Sequence, residues 1–105
     1  MKRIALLAVL ALTTMNAWGA GDPAAGKTKS AVCIACHGPA GISLNELWPN
    51  LAGQKEAYLA KQITAFRDGT TRSDPMMAPM VQSLSDQDIA DLAAYFSSLS
   101  CDGSK

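Results

Sequence analysis

The chain has 105 residues, with nine basic and nine acidic side chains, one histidine and three cysteines. That length holds one domain and leaves no room for a second. With no net charge there is no excess of basic residues to make the stripe a nucleic-acid interface needs, so nucleic acid is excluded as a partner.

The first residues read as an export signal. Lys2 and Arg3 precede an apolar run from Ile4 to Leu12, and a small-residue stretch, Ala17-Trp18-Gly19-Ala20, follows. This is the layout of a secretory signal peptide. Cleavage after Gly19 puts Ala17 and Gly19 where small residues are wanted, whereas cleavage after Ala20 would put Trp18 there. The expectation is a signal peptide over 1–19, a mature domain over 20–105 and a periplasmic location. The apolar run is well short of the about 20 residues that span a bilayer, so no stable membrane insertion is expected. Without Lys2 and Arg3, seven basic residues face nine acidic ones, a net charge of −2. A chain this short buries a modest core and often relies on a disulfide, a metal or another bound group.

Asp22-Pro23 predicts the start of the first helix, with Asp as N-cap and Pro at the first helical position. That helix is expected to run to about Cys36. A loop rich in Gly, Pro and Asn covers Gly38 to about Gly53. Tyr58, Leu59, Gln62, Ile63 and Phe66 then recur at helical spacing, and Gly69 stops the helix. A second loop, roughly Thr70–Leu84, carries Met76, Met77 and Met80 between and beside prolines. Ser85, Asp86 and Asp88 open the last helix by capping and by favourable charge at its N-terminus. Its apolar stripe is Ile89, Leu92, Ala93, Phe96 and Leu99. The fold class is all-α, with three main helices, and no strand is required.

Cys33-Ile34-Ala35-Cys36-His37 admits three chemical readings. A thioredoxin-like pair normally opens a helix after a strand, and no strand-like alternation precedes Cys33. A zinc site needs about four N or S ligands, but the chain offers three Cys and one His, with Cys101 in the tail. The third reading is attachment of a c-type haem, for which C-x-x-C-H is the signature. Two thiols three residues apart lie on one helical face and reach two vinyl groups on one edge of the macrocycle. The next residue, His37, offers its imidazole to the iron. A second axial ligand is then sought, and His37 is the sole histidine. Methionine is the natural candidate, although Met residues more often serve as core filler. Local sequence leaves Met76, Met77 and Met80 all open.

Taken in order, these pieces resemble the class I cytochromes c over the whole mature length. The resemblance is to small mono-haem bacterial periplasmic cytochromes, and to one half of the tandem di-haem type. It rests on Gly21-Asp22-Pro23-Ala24-Ala25-Gly26-Lys27, Cys33 to Gly38, and Pro49-Asn50-Leu51-Ala52-Gly53-Gln54. Tyr58-Leu59 with Gln62 and Phe66, Met77-Ala78-Pro79, and Leu84-Ser85-Asp86 through Ala94-Tyr95-Phe96 complete it. The resemblance implies one covalent haem c and ranks Met77 first as axial ligand, with Met80 second. In such cytochromes that Met precedes Ala-Pro or Pro-Pro and stands seven positions before the Leu of Leu-Ser-Asp. It further implies that the Pro49 carbonyl accepts a hydrogen bond from His37 Nδ1–H. Gly26 and Tyr95 are expected at the crossing of the first and last helices. Trp48 is a candidate to pack on the haem or approach a propionate.

The function so implied is one-electron transfer and not catalysis. The expected partners are redox proteins, membrane respiratory complexes or periplasmic oxidoreductases, met by transient docking. Lys27, Lys29, Lys55, Lys61, Arg67 and Arg72 are the charges available for steering. Rival readings are a cytochrome subunit of a larger oxidoreductase, and a haem peroxidase or gas-binding protein, which needs an open sixth position. Cys101 is the odd cysteine; a monomer is expected, with a Cys101-linked dimer as the alternative.

Overall fold

The structure is a computed structural model that describes residues 21–104; the predicted signal peptide and its cleavage site lie outside the described residues. Helices occur in the order α1 (Pro23–Lys29), α2 (Ala31–His37), α3 (Glu56–Asp68), α4 (Ala78–Val81) and α5 (Asp86–Ser98). Among the described residues there is no strand, as expected of an all-α chain.

Each main boundary has a local cause. Asp22 is extended, and its carboxylate accepts the Ala24 N–H at 2.9 Å, one of the donors a helix start leaves unpaired. Pro23 follows at the position where its missing N–H costs nothing. At α5, Ser85 accepts from the Asp88 N–H and Asp88 accepts from the Ser85 N–H, a reciprocal capping box. Gly69 ends α3 in the left-handed region, with φ 72°, where a side chain would be strained.

Two details differ from the sequence expectation. The single first helix is two helices, broken at Ser30. The Ser30 hydroxyl takes the Lys27 carbonyl at 2.7 Å, competing with the backbone ladder, and α2 restarts from the Ser30 carbonyl. The methionine loop also contains a short helix. Pro79 falls in the first turn of α4, where proline is tolerated.

The core is organised by α5. Phe96 and Leu92 are its largest fully buried side chains, and Leu59 from α3 joins them with Ala93 and Tyr95. Truncating a buried Phe of this kind costs about 3–5 kcal/mol. Tyr95 and Phe96 sit ring to ring at 5.1 Å in a tilted arrangement. On the other side α1 crosses α5 at Gly26. A Cβ there would lie 2.0 Å from the Asp91 carbonyl oxygen and 2.7 Å from the Tyr95 Cβ, so only glycine admits this approach. Gly26 and Tyr95 therefore do mark the crossing.

A buried carboxylate locks that crossing. Asp91 accepts from the Asp22 N–H at 2.8 Å, from Lys29 Nζ at 2.6 Å and from Gln87 Nε2 at 2.8 Å. The Asp22 N–H and the Lys29 ammonium hold its pKa down at about 2. The clamp ties the chain entrance and α1 to α5.

Candidate haem site

The site is built on α2. Cys33 and Cys36 stand one helical turn apart, and His37 closes the helix. Both cysteines are half-buried, and Cys33 packs against the core cluster. Burial pushes the Cys33 thiol up. No strand precedes α2 among the described residues, so the strand-then-helix setting of a thioredoxin-like pair is missing. The zinc reading also finds no site: among the described residues no group of three or more His, Cys, Asp or Glu could hold a metal ion.

His37 is buried, and its Nδ1 lies 2.8 Å from the Pro49 carbonyl oxygen. A carbonyl only accepts, so Nδ1 is the nitrogen that donates, and in the neutral ring Nε2 is the one with the lone pair. This is the state of an imidazole ready to bind a metal, with its ring orientation fixed from behind. The loop sequence makes that contact possible. Leu51 and Ala52 N–H both bond to the Gly41 carbonyl, at 2.8 and 3.0 Å. Asn50 Oδ1 accepts the Ser43 N–H at 2.7 Å. These bonds close the loop into a compact unit and present Pro49 to His37. Trp48, next to it, is half-buried and lines a cleft of about 140 Å³ with Ile34, Ala35, Cys36 and Leu44 among others.

The three methionines separate by environment. Met76 is 57% exposed and Met80 44%, whereas Met77 is half-buried. Asp74 shapes the segment around it. Its carboxylate accepts the N–H groups of Met76 at 2.8 Å and Met77 at 3.1 Å, and its carbonyl accepts the Ala78 N–H at 2.9 Å. The Asp74-Pro75 pair was a readable turn signal, although the sequence reading assigned Asp74 no role. Val81, on the far side of α4, is buried and anchors the segment.

The donor set fits a c-type haem: two thiols a turn apart, an adjacent imidazole held through Nδ1, and a half-buried thioether on the methionine loop. Of the charges available for steering, three are held by internal contacts. Lys29 pairs with Asp88 and Asp91, Arg67 with Asp86, and Arg72 lies 4.2 Å from the centroid of the Phe66 ring. Lys27, Lys55 and Lys61 are exposed.

An all-α fold carrying these groups on α2 and the ligand loop defines a small protein with one covalently attached haem. The sequence profile of the cytochrome c family matches residues 23–100, and the chain belongs to that family. It is 52% identical over 81 residues to cytochrome c-554(548) of Halomonas halodenitrificans, covering 75% of this chain and 98% of that one. It is 50% identical over 95 residues to cytochrome c4 of Pseudomonas aeruginosa, covering 90% of this chain but 46% of that one. The crystal structure of reduced recombinant cytochrome c4 from Pseudomonas stutzeri superposes with a TM-score of 0.74 at 46% identity, over 77% of this chain and 47% of the other. The chain thus spans about half the length of its cytochrome c4 relatives. Its cofactor is one covalent haem c, and its role is that of an electron carrier. Among the described residues no helix is long and apolar enough to cross a membrane.

Proposed function

We propose that the chain is an exported, periplasmic one-electron carrier. In this reading Cys33 and Cys36 form the haem thioethers, His37 and Met77 are the axial iron ligands, and no substrate is turned over. The observation that carries it is the His37–Pro49 contact beside the two half-buried cysteines. It commits Nδ1 to the loop carbonyl and so reserves Nε2 for a metal.

The haem supplies a one-electron Fe(III)/Fe(II) couple, and Met/His ligation raises its reduction potential. The chain supplies everything else. Pro49 holds His37 in one tautomer and one orientation, so the ligand does not rearrange as charge changes. Met77 offers a neutral sulfur donor from a segment capped by Asp74. Trp48 lines a cleft together with Cys36, which places the indole near one of the two thioether positions. With His37 and Met77 both holding the iron, no position would be left open for peroxide or gases, which suits electron transfer. Docking to redox partners is brief, as such encounters bury little surface. The exposed Lys27, Lys55 and Lys61 are the cations left for steering.

Replacing the methionines separately tests this ligand set. Met77→Ala is expected to abolish the weak far-red absorption of Met–Fe(III) coordination and to let the ferrous haem take up carbon monoxide. Met80→Ala is expected to leave both properties as in the unmodified protein. The reverse pattern would transfer the role to Met80.

A further inference from the structure

The ligand loop leaves α3 and returns to it, and side chains pin it to α3 on both sides of Met77. On the return side, Arg67 in the last turn of α3 donates from Nη1 to the Leu84 carbonyl at 3.0 Å. From Nη2 it donates to Asp86 Oδ1 at 2.8 Å. Gln82 Nε2 bonds back to the Arg67 carbonyl at 3.1 Å. On the outgoing side, Arg72 stacks on the Phe66 ring at 4.2 Å and donates to Gln62 Oε1 at 2.9 Å. Phe66 and Gln62 both belong to α3.

The return side is the more constraining. Arg67 and Gln82 bond in opposite directions between the same two segments, so neither slides without breaking the other's contact. The planar guanidinium reaches a carbonyl and a carboxylate at once, which a lysine ammonium on a flexible stem does not reproduce. Leu84 and Val81, between and beside these bonds, are half-buried and buried respectively. Met77 stands seven residues before Leu84 and is joined to it through α4.

We propose that Arg67 is a positioning residue for the sixth haem ligand: its fork locks Gln82–Asp86 onto α3 and so holds Met77 at the iron. The proposal rests on the reading of Met77 as axial ligand. A thioether keeps its position only while the closed loop dominates the loop's two arrangements. An external ligand enters the open arrangement, so its apparent affinity rises in proportion to the open fraction. Arg67 acts on that fraction and touches neither iron nor sulfur.

The test titrates the ferric holoprotein with imidazole at neutral pH, following loss of the far-red band. Arg67→Gln is expected to bind imidazole roughly tenfold more tightly than the unmodified protein, because the open fraction grows by that factor. Arg67→Lys recovers only part of the difference. Gln82→Ala, an exposed position that loses the return bond alone, shifts affinity in the same direction by less. Asp91→Asn, which weakens the fold away from the loop, lowers thermal stability without moving imidazole affinity. Unchanged affinity in Arg67→Gln and Gln82→Ala, with stability reduced, overturns the proposal. If Arg67→Gln fails to fold, Gln82→Ala alone decides it. The underlying assignment fails separately, if Met77→Ala keeps the far-red band.

Discussion

Asp91→Asn probes the clamp that joins the two ends of the domain. The Asp91 side chain is 4% exposed and its pKa falls from the ordinary 3.8 to about 2 in the folded protein. A carboxylate whose folded pKa lies below its unfolded value stabilises the fold at pH values above the unfolded pKa. That contribution drains away as pH falls through 3.8 toward 2, because the unfolded chain takes up the proton first. The shift corresponds to about 2 kcal/mol at neutral pH. Asparagine keeps an oxygen for the Asp22 N–H but loses the charge that faces Lys29. The variant is therefore expected to be about 2 kcal/mol less stable at pH 7, which lowers the melting temperature by roughly 10 °C for a domain of this size. The difference between the two proteins should shrink between pH 4 and pH 2. Urea unfolding of both ferric holoproteins, followed by far-ultraviolet circular dichroism at several pH values, measures it. A gap that stays constant from pH 7 to pH 2, or no gap at all, would refute the assignment of the clamp to the charged carboxylate.

Three further substitutions bear on other parts of the account. Gly26→Ala forces a Cβ into the Asp91 carbonyl, and the strain at the α1–α5 crossing is expected to cost about 3 kcal/mol or more, read by urea unfolding. His37→Ala removes the axial imidazole, and its expected signature is a high-spin ferric spectrum with the far-red band gone. Cys101→Ser changes an exposed residue at the tail, and its absorption spectrum and melting temperature are expected to match the unmodified protein's. Comparing the two on a non-reducing gel shows whether Cys101 links chains.

Much of the fold was legible because its boundaries are written locally. Asp22-Pro23, Gly69 and the Ser85–Asp88 pair each declare a helix end through their own chemistry, and the stripe from Ile89 to Leu99 declares the buried face of α5. The break at Ser30 was not legible. Its backbone stays in the helical region, and the break comes from a serine hydroxyl bonding three residues back, which the apolar pattern does not report. α4 was missed because four residues carry no periodicity and Pro79 reads as a helix breaker unless its first-turn position is known. Cys33, Cys36 and His37 are contiguous enough to be read as chemistry. The His37–Pro49 contact was anticipated through family resemblance alone, since the partners stand twelve positions apart across a loop. Arg67 was counted among surface charges because its partners, Leu84 and Asp86, lie seventeen and nineteen residues away. Only the folded chain places them together.

The proposed function stands on a haem held by two thioethers with His37 and Met77 on the iron. The most direct test is the visible and far-red absorption spectrum of the protein, exported from a host with c-haem maturation machinery, in the oxidised and then the reduced state. A low-spin c-type spectrum is expected in both states, with a weak far-red band in the oxidised form and no change on adding carbon monoxide to the reduced form. A high-spin spectrum, or prompt carbon monoxide binding, would contradict His/Met ligation, and a colourless protein would contradict the haem itself.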